Sequence, residues 1–207
     1  MGNETETRER LLKVAKDEFL ELGYEKASMR KICKKAGVTT GALYFFFKDK
    51  NDLFAALVKN VAEDVKMFII HHTEKEQVIY AEAKTTPQEL IEDGIQQGRE
   101  FVTYMYANKE AFLLLLSKAN GSAYENFYDE LVDLMEKNTL QFLDHITSVN
   151  GRENEINPYT MHWLAHLETS SFAQLLTHGL TLEEALIQAE IIAKYLTGGW
   201  LEILKKE

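Results

Sequence analysis

Apolar residues recur three or four positions apart through most of the chain, and no strand-like alternation lasts long. The first stripe is Leu12, Ala15, Phe19 and Leu22, which predicts a helix ended by Gly23 after a frayed tail over residues 1–7. Two short helices are expected next, at about 28–36 and 39–46, with a glycine turn between them. The pattern therefore indicates an all-α chain whose first 50 residues hold three helices.

Six further helices are expected, which makes about nine in total. Each begins at a residue or pair suited to capping an N-terminus: Asp49 with Asp52, Thr86 with Glu89, Asn108, Ser122 with Glu125, Asn157 before Pro158, and Thr181 with Glu184. Residues 71–86 are polar without a clear period, so we expect a loop there. A break before Asn150 and Gly151 is expected to end the seventh helix.

Charge divides the chain into a basic head and an acidic body. Residues 1–50 hold 11 basic and 8 acidic side chains, whereas residues 51–207 hold 12 basic and 25 acidic ones. The net charge of the whole chain is −10. DNA attracts such a head and repels such a body. We therefore expect a DNA-binding domain over residues 1–50 and a helical body over residues 51–207.

Residues 28–50 carry the clearest functional signal. Ser28 is expected to cap one short helix with its hydroxyl, Gly37 to end it, and Thr39 to cap the next. Leu43 and Phe47 are expected to face the first helix. That leaves five residues of the second helix facing outward: Thr39, Thr40, Gly41, Tyr44 and Phe45. Two helices joined by a tight turn are typical of DNA binders whose second helix enters the major groove.

Positive charge surrounds this motif. Between Lys26 and Lys50 there are seven basic residues, Arg30 among them, and one acidic residue. Clustered cations bind phosphates and release counterions, which supplies much of the affinity of proteins for DNA. A solvated basic face on an ordinary helical bundle is the alternative that charge alone leaves open.

The segment AGVTTGALYFFFKDKNDLFAALV closely resembles the one that marks the tetracycline-repressor (TetR) family, whose usual form is roughly AGVSKGTLYHHFKSKEDLF. The matching residues are Gly37, Val38, Gly41, Leu43, Tyr44, Phe47, Lys48, Lys50, Asp52, Leu53 and Phe54. The resemblance covers about residues 8–60. Thr40 stands where Lys, Arg or Pro is frequent, and Phe45 and Phe46 replace a common His or Tyr pair. The operator sequence therefore does not follow from the resemblance.

The resemblance implies a ligand-responsive regulator, generally a repressor, that binds a palindromic double-stranded DNA operator as a homodimer. It implies phosphate contacts from Ser28 and Tyr44, with added charge from Lys48 and Lys50. Thr39, Thr40 and Gly41 would then approach base edges. Phe45 would touch a thymine methyl group.

The body offers candidates for binding a small lipophilic effector. They are apolar or aromatic side chains with one acid in an apolar stripe: Phe68, Phe101, Tyr104, Met105, Phe127, Trp163, Glu168 and Phe172. Many of these residues are equally compatible with an ordinary core. Glu168 could pair with a base, lie at a dimer interface, or bind a lipophilic cation.

The last two helices each carry a face of small or flat residues. One face holds His162, His166, Ser170 and Ala173, and the other holds Ala185, Ala189, Ala193 and nearby Gly198 and Gly199. Such faces permit close packing within one chain. They also suit a homodimer, which the family resemblance implies for these two helices.

Other functions find little support in the sequence. It contains no phosphate-binding glycine loop, nucleophile elbow or HExxH motif, so we expect no enzyme and no cofactor. His162 and His166 have metal-binding spacing, but no cysteine or nearby acid completes a site, so we expect no metal. Cys33 is the single cysteine; a buried residue is favoured there over a redox sensor.

The absence of a disulfide, a signal segment and a span of ~20 apolar residues predicts a cytoplasmic protein without membrane contact. Two other functions remain open. One is a ligand-independent DNA-binding protein, and the other is a helical protein that binds small molecules without a DNA role.

Overall fold

The computed structural model describes residues 2–81, 86–149 and 156–204, with side chains described except at 2–3, 76–81 and 145–149. Within these ranges the chain forms nine α-helices and no strand. They are α1 (Gly2–Lys26), α2 (Met29–Ala36), α3 (Thr40–Phe46), α4 (Lys50–Ala81), α5 (Pro87–Ala107), α6 (Lys109–Ser117), α7 (Phe127–Val149), α8 (Pro158–Thr177) and α9 (Leu182–Ile203). The predicted all-α class is confirmed.

The helices group into two compact units. The first comprises Met1–Asp64 with Asn108–Tyr128, and the second comprises Val65–Ala107 with Asp129–Glu207. Helix α4 contributes residues to both units. The first unit also contains α6 and the segment after it, so its bounds differ from residues 1–50. The functional division at residue 50 stays a prediction.

The core of the first unit is built around the ring of Phe54. Its centroid lies 5.1 Å from that of Phe19 and 5.3 Å from that of Tyr24, edge-on in both cases. Helix α1 buries Leu11, Ala15 and Phe19, while the expected Leu12 is only partly buried. Ala15 and Phe19 are therefore buried as predicted, and Leu11 takes the place of Leu12 at the start of the stripe.

The predicted frayed tail is wrong, because α1 begins at Gly2. Arg8, just beyond that segment, lies over the ring of Phe47 at 5.4 Å, a cation–π contact that ties this part of α1 to the first unit. Gly23 breaks helical geometry as expected, with φ 77° and ψ 164°, values that residues with a side chain rarely adopt.

Most predicted helix starts are confirmed. Thr181 and Glu184 form a reciprocal capping box, as do Thr86 and Glu89, and the side chain of Asn157 accepts from the N–H of Tyr159. The Asp49 carboxylate accepts from the N–H of Asp52 at 2.9 Å.

Two caps predicted for the last six helices are wrong. Helix α7 begins at Phe127, because the side chains of Ser122 and Glu125 instead accept from the N–H groups of Tyr124 and Gly121 within the preceding turn. The side chain of Asn108 makes no capping hydrogen bond on α6.

The predicted loop over residues 71–86 is also wrong as far as it is described, because α4 continues to Ala81. Glu, Lys, Gln and Ala in this stretch are good helix formers, and no Gly or Pro interrupts them. The hydroxyl of Thr73 donates to the carbonyl of Ile69, and Lys75 pairs with Asp93 of α5. Residues 82–85 and the predicted break at Asn150 and Gly151 lie outside the described residues.

In the second unit, the small face of α9 packs within the chain. Ala185, Ala189 and Ala193 are buried, and a Cβ placed on Gly98 of α5 would lie 3.7 Å from the Cβ of Ala193. A Cβ on Gly94 would come within 2.7 Å of the Thr197 hydroxyl. Glycine at position 94 of α5 therefore permits close approach to α9, whereas a methyl group at position 98 would make an ordinary contact. Of the two readings of this face, intramolecular packing applies.

Candidate functional site

The turn between α2 and α3 has the geometry expected of a helix-turn-helix. Gly37 adopts φ 67° and ψ 34°. Its N–H donates to the carbonyl of Lys34, and the N–H of Val38 donates to the carbonyl of Cys33. Such a left-handed exit strongly favours glycine. The side chain of Thr39 then caps α3 by accepting from the N–H of Ala42 at 3.1 Å.

Helix α3 presents one buried side and one exposed side. Leu43 is fully buried, and Phe47 just after the helix is nearly so, as predicted. The outward side exposes Thr39, Thr40 and Gly41, followed by Tyr44 (53% exposed) and Phe45 (72% exposed). The five residues expected to face outward therefore share one exposed surface, which we call the α3 surface. Large exposed aromatic rings are unusual without a partner.

Gly41 is not required by packing within the protein. A Cβ placed there would meet a single neighbour within 4 Å, the Thr39 hydroxyl at 3.9 Å, which is an ordinary contact. The backbone at this position is therefore open to an external partner.

The cations of the first unit differ in how they are held. Arg30, Lys31, Lys34 and Lys48 are exposed. Lys35 donates to Glu18 at 2.6 Å, and this hydrogen bond, with the charge of that carboxylate, raises the pKa of Lys35. Glu18 is 1% exposed, so Lys35 neutralises a buried acid and joins α2 to α1.

Lys50 is partly buried and already engaged. Its Nζ donates to the carbonyl of Glu25 at 3.1 Å and lies 4.5 Å from the centroid of the Tyr24 ring. Desolvation lowers the pKa of Lys50, with the charge of Glu25 opposing the shift. Contact with a phosphate would require the ammonium group to leave these partners, so its predicted role competes with a structural one.

Ser28 occupies the N-cap position of α2, but its side chain makes no capping hydrogen bond. The expectation that its hydroxyl caps the helix is wrong. The backbone carbonyl of Ser28 instead accepts from the N–H of Ile32 at 2.9 Å.

Three of the eight effector candidates meet in the second unit. The rings of Phe68 and Phe101 stack with centroids 4.7 Å apart, and Phe172 meets Phe101 edge-on at 5.7 Å. We call these residues the aromatic trio. Each is partly buried, as is Glu168 on α8, whereas Met105 is buried.

The other candidates are not part of this cluster. Phe127 is buried, and it belongs to the first unit, whereas α7 from Asp129 onward belongs to the second. Trp163 is 63% exposed on α8. Tyr104 lines an open surface depression with residues of α5 and α9, including Arg99 and Leu186.

Sequence reasoning missed two polar groups inside the second unit. The amide nitrogen of Asn138 on α7 and the hydroxyl of Thr169 on α8 are buried with no hydrogen-bond partner among the described residues. Buried polar groups normally have partners, so each is a candidate to bind a ligand or a water. Thr169 precedes Phe172 by three residues, which places both on the same side of α8.

A second set of exposed apolar residues, also missed, lies on α8 and on α9. Its α9 residues repeat every four positions on the side away from the buried alanines, and its α8 residues are also four apart. They are Tyr159, Trp163, Ile187, Ile191 and Tyr195, the last 69% exposed. We call them the α8–α9 surface. Helix α9 carries apolar residues on two opposite sides, so the sequence did not distinguish this face from the core.

Comparison with known proteins agrees with this geometry. Residues 11–57 match the family model described as bacterial regulatory proteins, tetR family. The HTH-type transcriptional repressor BepR of Brucella suis is 45% identical over 53 residues, 26% of this chain and 25% of that protein. The HTH-type transcriptional regulator AcrR of Shigella flexneri is 48% identical over 52 residues, 25% of this chain and 24% of that protein. These matches span about a quarter of each relative.

The likeness in fold extends further. The crystal structure of NalD of Pseudomonas aeruginosa, described as the secondary repressor of the MexAB-OprM multidrug efflux pump, superposes with a TM-score of 0.59 at 17% identity. The match covers 96% of this chain and 98% of that one, and at this identity it shows the fold alone. Across the described part of the chain, no helix combines the length and apolarity needed to cross a bilayer.

Proposed function

We propose that this chain, whose residues 11–57 match the model of the tetR family of bacterial regulatory proteins, is a ligand-responsive transcriptional regulator that acts as a repressor. It binds a palindromic DNA operator as a homodimer in the cytoplasm. The observation that most supports this function is the α3 surface, which exposes small residues and two aromatic rings beside the cations of α2.

Within this proposal, phosphate contacts position the helix. Arg30 and Lys48 supply exposed charge at either side of α3, and Ser28 and Tyr44 supply hydroxyl groups. Contacts of this kind fix the register of a protein on DNA without reading its sequence. Lys50 adds positive potential while its ammonium group remains bound to the Glu25 carbonyl.

Base recognition falls to the outward residues of α3. Thr39, Thr40 and Gly41 lie at the N-terminal end that enters the major groove in helix-turn-helix proteins. Phe45 can contact the methyl group of thymine. The Thr39 hydroxyl already accepts from the N–H of Ala42 and still has its O–H available to donate to a base.

Selection of bound sequences from random DNA tests this function. A two-fold symmetric consensus is expected, because a dimer presents two copies of α3. On that operator Lys48→Ala should weaken binding to all sequences alike, whereas Thr40→Ala should change the preferred base. Lys59→Ala is the matched control, since Lys59 is an exposed lysine of α4 in the same unit. Failure to enrich any sequence would reject the proposal.

The homodimer is proposed to form through the α8–α9 surface. Its five large apolar side chains are exposed in the single chain, and burying them against a second copy would remove this apolar area from water. Each Å² of apolar surface so buried contributes roughly 25 cal/mol. The two-fold symmetry of a dimer would place the same surface on both copies.

Analytical ultracentrifugation tests this interface. Ile191→Glu, which places a charge at the surface, should give a monomer that retains its helical circular dichroism spectrum. Met67→Glu is the control, because Met67 is an exposed apolar residue of α4 outside the surface. A dimer that tolerates Ile191→Glu would exclude this interface.

The effector is proposed to be a small lipophilic compound bound near the aromatic trio. Its polar group would satisfy the Asn138 amide or the Thr169 hydroxyl, which lack partners in the described structure. A cationic effector would instead approach Glu168. An effector that binds one arrangement of the protein better than another shifts their populations and so changes affinity for DNA.

Calorimetric titration with lipophilic cations and with neutral carbonyl compounds separates these cases. Loss of binding in Glu168→Gln supports a cation, and loss in Asn138→Leu supports a neutral compound with an acceptor. Leu186→Ala in the open depression is the control, since that depression excludes the trio. If no compound of either class binds or alters DNA affinity, the ligand-independent alternative holds.

A further inference from the structure

Two acids of α7 and a histidine of α8 converge in the second unit. The Nδ1 atom of His162 lies 2.7 Å from a carboxylate oxygen of Glu136. One donor atom each from Asp133, Glu136 and His162 lie within 4.8 Å of one another. The expectation that no nearby acid accompanies His162 is therefore wrong, since the acids come from 26 and more residues earlier in the chain.

The spacing of the three groups suits a metal ion. Asp133 and Glu136 are three residues apart on one helix and share a face. Zinc binds histidine nitrogen and carboxylate oxygen at roughly 2.0–2.2 Å, which sets the donor atoms about 3–3.5 Å apart around a tetrahedral ion. The Glu136 and His162 donor atoms are slightly closer than this at 2.7 Å, and all three donor atoms lie within 4.8 Å of one another, so a bound ion would require Glu136 and His162 to move slightly apart.

The donor set selects the class of cation. One imidazole nitrogen with two carboxylates favours a divalent first-row transition metal. Magnesium and calcium prefer oxygen donors alone, and soft ions prefer sulfur. The His162 side chain is 50% exposed and Asp133 is exposed as well, so positions on the ion would remain open to water.

We propose that Asp133, Glu136 and His162 form a divalent transition-metal site that links α7 to α8. The ion takes the place of the proton between His162 Nδ1 and the Glu136 carboxylate, and the two carboxylates neutralise its charge. His166, whose ring centroid lies 4.7 Å from that of His162, borders the site. The proposal does not depend on DNA binding, and it adds a ligand that the proposed regulator does not require.

Isothermal calorimetry with ZnCl₂ on tag-free, chelator-treated full-length protein tests the site. Saturable binding of one ion per chain is expected. Mutating a residue that only hydrogen-bonds to a metal ligand typically lowers metal affinity by about 10–100-fold. Replacing a ligand itself, as in His162→Ala and Glu136→Gln, should therefore lower the affinity for Zn²⁺ by about tenfold or more. His71→Ala is the matched control, because His71 is an exposed histidine of the same unit outside the cluster.

A second readout uses the neighbouring residue. Trp163 follows His162 and is exposed, so Co²⁺ bound at the site should quench its fluorescence. The quenching should disappear in His162→Ala and persist in a Trp200→Phe variant that leaves Trp163 as the remaining tryptophan. Circular dichroism confirms that each variant is folded.

Two results would overturn the proposal. One is the absence of saturable Zn²⁺ binding, which would leave the cluster as an ion pair at the surface. The other is binding of equal affinity in wild type and His162→Ala, which would place the metal elsewhere. Either result leaves DNA selection by the wild-type protein unaffected, so the two proposals fail independently.

Discussion

Replacing Gly41 by alanine separates the contribution of this residue to folding from its contribution to DNA binding. Gly41 lies in the first turn of α3 on the exposed side. Beyond the chain neighbours of Gly41 and the backbone of its own helix, the added methyl group would meet only the Thr39 hydroxyl within 4 Å, at 3.9 Å. The protein alone therefore gives no steric reason for glycine at this position.

The expected effect on stability is small and favourable. Alanine is preferred over glycine inside a helix by roughly 0.5–1 kcal/mol, chiefly because glycine loses more backbone freedom on folding. The first turn places Gly41 at the lower end of that range. For a chain of this size about 0.5 kcal/mol raises the melting temperature by roughly 1–2 °C.

The expected effect on DNA binding has the opposite sign. If the α3 backbone approaches base edges, a methyl group at Gly41 moves the helix away and weakens the contacts beside it. A single good base contact is worth about 1–3 kcal/mol, which corresponds to roughly a tenfold loss of affinity or more. The variant should therefore melt slightly higher and bind operator DNA more weakly.

Thermal unfolding and fluorescence anisotropy with the selected operator measure the two effects. Asn60→Ala is the matched control, since Asn60 is exposed on α4 in the same unit and the change also adds helix propensity. It should gain stability without losing affinity. Unchanged affinity in Gly41→Ala would refute close approach of the α3 backbone to DNA.

Three further predictions concern stability. Gly94→Ala should lower the free energy of unfolding by about 1–3 kcal/mol, because its Cβ would lie 2.7 Å from the Thr197 hydroxyl. In denaturant melts, adding Thr197→Ala should restore stability, and Gly98→Ala alone should be tolerated. Hydrogen bonds from Thr181 lower the pKa of Glu184 below 4.5, so their stabilisation is present above that pH and lost as pH falls. The difference in melting temperature between wild type and Glu184→Gln should therefore shrink on acidification, and a pH-independent difference would contradict this. Phe54→Ala, which removes a fully buried ring, should cost about 3–5 kcal/mol and raise hydrogen exchange in the first unit, and unchanged exchange there would contradict it.

The elements of the fold were largely readable from the sequence, because their determinants are local. Helix periodicity, the glycine exits at Gly23 and Gly37, and capping pairs such as Thr181 with Glu184 act within a few residues. The outward side of α3 followed in the same way, since Leu43 and Phe47 had to face the core.

Local reasoning failed where a helix did not need an apolar stripe. Residues 71–81 continue α4 because their helix propensity suffices and contacts with α5 support them, although they lack periodicity. Ser122 and Glu125 resemble a helix start, yet their side chains close the turn before α7. A pattern that allows a cap does not decide which backbone groups the side chain will meet.

The sequence by itself determined that the chain contains a helix-turn-helix motif, which residues lie on the outer side of that motif, and the order of the helices. The tertiary structure decided which apolar face is covered, since α9 has apolar residues on two opposite sides and packing against α5 buries its alanines while Ile191 and Tyr195 stay exposed. It also brought Glu136 to His162. Contacts between residues far apart in the chain depend on how whole helices dock, and spacing within one helix carries no information about that.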